Sequence, residues 1–269
     1  MNKVVSNRLL ANNIHAIEVE APLIARSRKP GNFVILRVGD KGERIPLTIA
    51  DADVEKGTIT LVVQKVGASS AKIVSLQPGD MVTDLVGPLG QNTHISKVGT
   101  VLALAGGLGA APLLPIVKGF KEAGNRVLTV LAARNKDLLI LREELGAYSD
   151  ELLIMTDDGS EGKKGVVTVG GEEFINREKV DLAIAIGPAI MMKFAAQMTK
   201  KYDIPTICSL NTIMVDGTGM CGACRVTVGG ETKFTCVDGP EFDGHAIDFD
   251  ELLNRLGAYK EEECKLPVK

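Results

Sequence analysis

The chain has 269 residues, of which 45% are hydrophobic and 24% are charged, and its formal net charge is −3. With 31 basic against 34 acidic side chains, the composition argues against the polybasic surface that nucleic acids or anionic membranes attract. This length lies near the upper limit of about 250–300 residues for one hydrophobic core, so we expect two or more packed units.

The N-terminal sequence and the cysteines indicate the cellular compartment in which the protein is expected. The first residues, MNKVVSNRLLANN, lack the continuous apolar core of a secretory signal. The uncharged run 98–117 is interrupted by glycines and prolines, so it predicts a buried strand and a helix start rather than a membrane span. An odd, clustered set of cysteines argues against a secreted disulfide framework, and we expect a cytoplasmic protein. The cysteines are Cys208, Cys221, Cys224, Cys236 and Cys264.

Residues 1–96 are rich in short β-branched runs that are separated by turn signals. Closely spaced strands with little helix between them predict an antiparallel barrel or sandwich. The predicted strands are FVILRV (33–38), PLTIA (46–50), TITLVVQKV (58–66) and MVTDLV (81–86).

Residues 97–207 alternate apolar strands with helices, which is typical of a doubly wound parallel sheet. Pro188 suits the first turn of a helix because its fixed φ is already helical. The predicted strands are 101–105, 126–134, 152–156 and 181–187, and the predicted helices are 112–123, 137–148 and 188–202.

Residues 208–269 form a third zone that is rich in glycine and cysteine. Two short strands, CRVTV and TKFTC, flank Gly229 and Gly230 and predict a hairpin. An amphipathic helix is predicted over 249–259, followed by an exposed acidic tail. The expected architecture is therefore an antiparallel β-barrel, a doubly wound parallel α/β unit and a small cysteine-rich subdomain.

A glycine-rich turn follows an apolar strand and opens a helix in the central zone. Gly106, Gly107 and Gly109 let backbone amides approach a pyrophosphate, and the helix start at Ala110 adds partial positive charge. The turn departs from GxGxxG because Pro112 stands where the last glycine would be. It therefore fits a two-domain reductase better than a standard Rossmann dehydrogenase. A tight βα turn without a ligand is the alternative.

Two later βα turns point to the same edge of the proposed sheet. Asp157 and Asp158 follow a strand, where carboxylates can accept hydrogen bonds from ribose hydroxyls and repel a 2′-phosphate. They favour NAD(H) over NADP(H), while the same sequence also suits a solvated turn. Gly187 and Pro188 form the other turn.

The segment from Asp216 to Cys236 is the most specific feature of the chain. Its spacing begins D-x4-C-x2-C, which matches the cysteine loop around a 2Fe–2S cluster in plant-type ferredoxins, with an aspartate in place of the first cysteine. Interspersed glycines allow the loop to curl around a small cluster. We predict that the ligands of a 2Fe–2S cluster are Asp216, Cys221, Cys224 and Cys236.

Two other kinds of site remain open for these cysteines. A structural zinc could use the three loop cysteines with Cys208 or Asp216, although a second C-x2-C or a pair of histidines is missing. A thioredoxin-like dithiol would need CGAC to open a helix, whereas strand-like sequence follows it. Cys208 lies outside the loop and is predicted to be a small buried residue.

Six motifs occur along the chain in a fixed order: PGNFV (30–34), PLTIA (46–50), VGASS (66–70), GPLG (87–90), GGLGAAP (106–112) and GPAIMM (187–192). Together they resemble the ferredoxin reductase superfamily. The Asp/Cys loop narrows the resemblance to the iron–sulfur electron-transfer subunits of dihydroorotate dehydrogenase and, more closely, to the small subunits of NADH-dependent reduced ferredoxin:NADP oxidoreductases, also described as sulfide dehydrogenases. The similarity extends to about Leu256.

The resemblance implies an FAD-binding barrel over 1–96, an NAD(H)-binding domain over 97–207 and a 2Fe–2S subdomain with a tail over 208–269. In the barrel, one set of residues would line the isoalloxazine ring and a second set would hold the flavin pyrophosphate. The first set is Pro46, Leu47 and Thr48, and the second is Val66, Gly67, Ser69 and Ser70.

One departure from the superfamily concerns the flavin strand. Many relatives carry an arginine directly before the proline of this strand, but here Ile45 occupies that position and Arg44 lies one residue earlier. One step along an extended strand reverses the face of the side chain. We therefore do not assign the flavin-phosphate role to Arg44.

The resemblance further implies an oxidoreductase subunit that passes electrons between NAD(H), FAD and a 2Fe–2S cluster to a larger flavin and iron–sulfur subunit. This heterodimer, or a higher hetero-oligomer, would couple NADH, NADPH and ferredoxin by electron bifurcation. No catalytic side chain is expected, since the cofactors carry the redox chemistry. Two alternatives stay open: a dihydroorotate dehydrogenase electron-transfer subunit and, from a different class, a zinc-stabilised NAD-binding module without turnover.

Overall fold

The computed structural model describes residues 2–258, and its first part is a near-closed antiparallel β-barrel. The strands are β1 (Asn2–Ala11), β2 (Ile14–Glu20), β3 (Phe33–Arg37), β4 (Ile45–Asp53), β5 (Thr58–Gln64), β6 (Met81–Val82) and β7 (Asp84–Leu89), and the helices are α1 (Pro22–Ser27) and α2 (Ala68–Val74). Neighbouring strands follow the order β6-β1-β2-β5-β4-β3-β7. The predicted strands 33–38, 46–50 and 58–66 are confirmed as β3, β4 and β5. The predicted strand 81–86 is wrong as a single element, because the chain bends at Thr83 and forms β6 and β7 at opposite ends of the sheet order.

The sequence does not predict the hairpin of β1 and β2. Register shifts between Val4 and Ser6 and between Leu9 and Ala11 break the alternation that identifies a strand. Pairing across the sheet fixes the conformation instead, because β1 bonds to β2 on one side and to β6 on the other.

The central part is a parallel sheet with helices between its strands. The strands are β8 (Thr100–Gly106), β9 (Arg126–Ala133), β10 (Glu151–Thr156), β11 (Lys163–Lys164), β12 (Leu182–Ile186) and β13 (Thr206–Ser209). The helices are α3 (Ala110–Glu122), α4 (Arg142–Ala147), α5 (Val167–Arg177) and α6 (Ala189–Lys200). The sheet order β11-β10-β9-β8-β12-β13 confirms the predicted doubly wound arrangement.

Helix α5 is absent from the sequence prediction because its sequence, VTVGGEEFINR, contains β-branched residues and two glycines. Those glycines are explained by packing. A Cβ at Gly170 would lie 2.8 Å from Val130, and one at Gly171 would lie 3.0 Å from Met198. The helix therefore approaches the sheet and α6 more closely than side chains at these positions would allow.

The C-terminal part contains the strands β14 (Arg225–Val228), β15 (Glu231–Phe234) and β16 (Glu241–Asp243) and the helices α7 (Thr235–Asp238) and α8 (Phe249–Leu256). The predicted hairpin is confirmed: β14 and β15 are joined by Gly229 and Gly230, whose positive φ angles suit a tight hairpin turn. Strand β16 pairs antiparallel with β13 and so extends the central sheet. The acidic tail lies outside the described residues.

These three parts confirm the predicted fold class. The predicted domain limits at 96/97 and 207/208 stay predictions, although β13 crosses the second limit and shares its sheet with β16. Within residues 2–258, no helix has the length and apolar character needed to span a bilayer.

The turns that follow β8 and β12 are in close backbone contact. A Cβ at Gly109 would lie 2.1 Å from the carbonyl oxygen of Ile186, and one at Gly187 would lie 3.0 Å from that of Gly106. Because the obstacle is backbone in both cases, no rotamer change can relieve it. Glycine is therefore required where the two turns meet.

The partly buried carboxyl group of Glu241 joins β16 to the segment that follows the barrel. The hydroxyl of Thr93 donates a hydrogen bond to Glu241 Oε1 at 2.6 Å. Gly31 lies against the same two side chains, where a Cβ would be 3.1 Å from Glu241 Oε1. Burial raises the pKa of Glu241 to about 7 against the opposing effect of the Thr93 hydrogen bond.

We expect Gly109→Ala to lower the free energy of unfolding by about 1–3 kcal/mol, the usual cost of forcing atoms into a packed site. The φ of Gly109 is −59°, a value that alanine adopts freely, so the loss would report the contact with Ile186. Urea unfolding measures it. Gly146→Ala in α4 is the matched control, since its nearest contact is 3.5 Å and it should not destabilise the protein. Equal stability of the two variants would contradict the argument.

We expect unfolding experiments across pH to detect Glu241. Its folded pKa lies above the ordinary value of 4.5, so its contribution to stability is fully present below pH 4.5 and is lost as pH rises through about 7. The loss should be about 3 kcal/mol for a shift of this size. Glu241→Gln should remove this part of the pH dependence, whereas the exposed Glu55→Gln should retain it. An unchanged profile in Glu241→Gln would show that the carboxyl is not buried as described.

Candidate functional site

A cavity of about 1070 Å³ lies where the barrel faces the carboxyl edge of the parallel sheet. It brings together residues that are far apart in the sequence and that were proposed for two different cofactors. The predicted residues that line it are Pro46, Leu47, Thr48, Gly106, Gly107, Gly109, Pro112, Asp157, Gly187 and Pro188.

The barrel wall of the cavity is formed by β4 and its neighbours. Strand β4 pairs with β3, where Thr48 lies opposite Phe33 and Leu47 lies opposite Val34. Phe33 also lines the cavity. This wall is therefore largely apolar, as a site for a flat aromatic ring requires.

The opposite wall consists of turns at the carboxyl ends of β8, β10 and β12. Ligands of open α/β sheets bind at this edge, where strand order reverses. Gly107 adopts a φ of +55°, and a Cβ there would meet no atom within 4 Å, so its backbone faces open space. Asp157 lies on this wall. The geometry suits a nucleotide whose phosphates approach bare backbone amides.

The remaining predicted cofactor residues lie outside the cavity lining. The hydroxyl of Ser70 accepts hydrogen bonds from the amides of Val66 and Gly67, both at 2.9 Å. The Ser69 hydroxyl donates to the carboxylate of Glu43. These side chains already have protein partners, and their role toward a pyrophosphate stays a prediction.

Ala110 and Asp158 are also separate from the cavity lining. Ala110 is fully buried at the start of α3. Asp158 accepts a hydrogen bond from the Ser160 amide at 2.9 Å, and the hydrogen bonds from Ser160 hold the pKa of this exposed carboxyl below its usual range. Of the two neighbouring aspartates, only Asp157 belongs to the wall of the cavity.

Sequence reasoning missed several residues of the cavity. Gln64 ends β5, and Arg134 follows β9 at the same sheet edge as the glycine turns. Both residues lie at the end of a strand, and this position in the sequence could have identified them as candidate cavity residues. Met214 and Pro240 come from the C-terminal part, and nothing in the sequence places them beside the barrel.

The loop of residues 215–224, here called the cluster loop, carries three of the predicted cluster ligands. Its glycines Gly217, Gly219 and Gly222 have φ angles of +84°, +90° and +66°, which L side chains rarely adopt. A Cβ at Gly217 would lie 2.6 Å from the side chain of Ile35 in β3. The loop therefore curls tightly and rests directly on the barrel.

The four predicted cluster ligands differ in exposure. The sulfur atoms of Cys224 and Cys236 are 3.2 Å apart, and both residues are buried. Cys221 is exposed. Within residues 2–258, no three His, Cys, Asp or Glu side chains are already arranged as a metal site.

Electrostatic effects at Asp216 and Cys221 favour their anionic forms. Hydrogen bonds from Thr218, with smaller contributions from the Met220 amide and the charge of Arg44, hold the pKa of Asp216 below its usual range. The amide of Ala223, followed by that of Asp216, lowers the pKa of the Cys221 thiol. An ionised carboxylate and thiolate are the forms that bind metal.

The buried thiol of Cys236 has the opposite tendency. Desolvation, followed by the neighbouring Cys224 sulfur, raises the pKa of Cys236 to about 12. A bound metal cation reverses this effect, because it deprotonates a coordinating thiol outright. The donor set of two buried sulfurs, one exposed thiolate and one carboxylate on a glycine loop therefore fits an iron–sulfur cluster.

Cys208 occupies a different part of the structure. It is buried within the core of the central sheet, and a Cβ at Gly244 would lie 2.9 Å from its sulfur. Burial, with a smaller effect of Asp243, raises the pKa of Cys208 to about 12. Cys224 and Cys236 belong instead to a separate apolar cluster beside the barrel.

The cysteine site and the cavity share a wall. Phe33 and Met214 line the cavity, and both also pack in the apolar cluster that contains Cys224 and Cys236. Strand β3 thus places one face of the barrel between the two sites.

Comparisons with known proteins agree with this geometry. The family model described as the iron–sulfur cluster binding domain of dihydroorotate dehydrogenase B matches residues 211–248. A Thermotoga maritima protein, described as a homologue of the dihydroorotate dehydrogenase B (NAD(+)) electron transfer subunit, is 48% identical over 98% of this chain and 93% of its own length. The corresponding subunit of Desulforamulus reducens is 33% identical over 89% of this chain and 94% of its own length.

A solved structure extends the likeness to the whole fold. A chain from the structure of the NADH-dependent reduced ferredoxin-NADP oxidoreductase, reported for its insights into flavin-based electron bifurcation, has a TM-score of 0.94 and 47% identity. The match covers 98% of this chain and 95% of that one. The resemblance stated from the sequence is confirmed, and with it the oxidoreductase class. The chain belongs to the family of dihydroorotate dehydrogenase B electron transfer subunits and their homologues.

Proposed function

We propose that this chain is an oxidoreductase subunit that passes electrons between NAD(H), FAD and a 2Fe–2S cluster to a larger flavin and iron–sulfur subunit. The single observation that carries the proposal is the wall shared by the cavity and the cysteine site, formed by Phe33 and Met214. Electron transfer between two centres requires proximity, and one strand of the barrel brings the two sites together.

The chain's own residues supply binding and orientation. Pro46, Leu47 and Thr48 would hold the flavin ring against the barrel wall of the cavity, and the glycine turns opposite would hold the nicotinamide nucleotide. Asp216, Cys221, Cys224 and Cys236 would hold the cluster. When bound, these groups supply hydride transfer and one-electron transfer, chemistry that side chains alone do not provide.

The likeness to the reduced ferredoxin-NADP oxidoreductase chain supports a more specific assignment. The assembly is a heterodimer or higher hetero-oligomer that couples NADH, NADPH and ferredoxin by electron bifurcation in the cytoplasm. The family model and the subunit of Desulforamulus reducens favour a second candidate, the electron transfer subunit of a dihydroorotate dehydrogenase. The subunit that purifies with the native chain distinguishes the two.

The visible spectrum of anaerobically purified protein tests the cofactor content. We expect flavin bands, broad iron–sulfur absorption, and iron and acid-labile sulfide in equal amounts. Protein that contains neither iron nor sulfide contradicts the proposal. Colourless protein with stoichiometric zinc would instead support the zinc-stabilised NAD-binding module.

Variants of the fourth ligand test the assignment of Asp216. Asp216→Cys should retain a 2Fe–2S cluster with a changed reduction potential, because thiolate is a softer ligand than carboxylate. Electron paramagnetic resonance of the reduced protein detects the cluster, and a redox titration that follows this signal measures its potential. Cys208→Ser is the control and should keep the cluster, since Cys208 lies in another core. Loss of the cluster in Cys208→Ser, with no effect of Asp216→Ala, would show that Cys208 is the ligand.

A further inference from the structure

Three arginines from different parts of the chain donate hydrogen bonds to backbone carbonyls of the cluster loop. Arg44, which precedes β4, donates to the carbonyl of Asp216 at 3.1 Å. Arg255, in α8, donates to the carbonyl of Ala223 at 3.0 Å. Arg225, at the start of β14, donates to the carbonyl of Gly222 at a longer 3.4 Å.

These hydrogen bonds fix the direction of the peptide groups in the loop. A trans peptide unit is planar, and its C=O and the following N–H point in opposite directions. A carbonyl held by an arginine therefore turns the next amide away from that arginine. The amides so directed belong to Gly217, Ala223 and Cys224.

The amide of Ala223 illustrates the consequence. Its peptide carbonyl, that of Gly222, is held by Arg225. The amide therefore points away from Arg225, and it is the group that most lowers the pKa of the Cys221 thiol. Amides that face cluster sulfur atoms are among the features that set the potential of an iron–sulfur centre.

We propose that Arg44, Arg225 and Arg255 are positioning residues that hold the outer carbonyls of the cluster loop and so direct its amides toward the cluster. The inference rests on the proposed function, because it requires a cluster in the loop. The arginines do not ligate the metal, and their effect is exerted through the backbone and through their charge.

Arg44 should have the largest electrostatic effect of the three. Its Nε is buried and finds no hydrogen-bond acceptor within the described residues. An arginine in this position retains its charge, since guanidinium does not lose its proton in proteins. A nearby positive charge stabilises the additional electron of a reduced cluster held by three thiolates and one carboxylate. Removing it should therefore lower the reduction potential.

Arg225 provides an internal comparison because it is exposed and its hydrogen bond is the longest of the three. Solvent screens an exposed charge, so its removal should matter least. The expected order of effects is thus Arg44 and Arg255 before Arg225. Arg8, an exposed residue of β1 in the barrel, serves as the control outside the loop.

The test uses the full chain with its cofactors and compares Arg44→Gln, Arg255→Gln, Arg225→Gln and Arg8→Gln. Two quantities are measured: the midpoint potential of the cluster by redox titration with electron paramagnetic resonance, and the rate of iron loss to a chelator. For Arg44→Gln we expect a lower potential, on the order of a tenfold change in the oxidised-to-reduced ratio, or about 59 mV for one electron. For Arg44→Gln and Arg255→Gln we expect roughly 10–100-fold weaker retention of iron.

Lysine variants separate charge from hydrogen-bond geometry. Arg44→Lys keeps the positive charge but lacks the planar guanidinium group. Compared with Arg44→Gln, it should therefore restore the cluster potential more fully than it restores the retention of iron. Flavin content and thermal unfolding show whether each glutamine variant folds. If a glutamine variant does not fold, the lysine variant takes its place in the comparison. The inference would be overturned if Arg44→Gln and Arg255→Gln both had the same cluster potential and the same rate of iron loss as Arg8→Gln. A wild-type protein without iron would instead overturn the proposed function.

Discussion

The packing of the cluster loop against β3 is the interaction on which the rest of the structure depends. Ile35 on this strand meets the loop where Gly217 leaves no side chain, and Phe33 packs near Cys224 and Cys236 while also lining the cavity. A single short strand therefore borders two sites of different chemistry. This contact places the cluster loop beside the cavity, and the pairing of β16 with β13 fixes the same part of the chain to the central sheet.

The second constraint is the meeting of the βα turns at the edge of the parallel sheet. Parallel pairing brings the carboxyl ends of β8, β10 and β12 to one edge, and glycines remove the side chains that would keep the turns after β8 and β12 apart. The cavity owes its shape to this close backbone contact. A nucleotide bound at this edge would lie opposite the apolar wall supplied by the barrel.

The cluster loop and Cys236 together supply donors with opposite electrostatic properties. Hydrogen bonds from the hydroxyl and amide of Thr218 stabilise the anionic form of Asp216, and backbone amides stabilise that of Cys221. Burial disfavours the thiolate of Cys236 until a cation is present. Three arginines surround the outside of the same loop. This arrangement suits an iron–sulfur cluster. Its metal ions would lie at the buried sulfurs, and its negative charge would face the surrounding amides and guanidinium groups.

Local sequence determined the elements and motifs whose physical cause is itself local. Alternation of apolar strands and helices predicted the parallel sheet, and Gly229-Gly230 predicted the hairpin because a tight turn needs positive φ angles. The spacing of Asp216, Cys221 and Cys224 predicted a ligand loop. Tertiary structure alone decided the hairpin of β1 and β2, helix α5 with its two glycines, and the placement of Met214 and Pro240 in the cavity wall. These features depend on contacts between segments far apart in the chain, and the energies of such contacts leave no periodic pattern in the sequence of either segment.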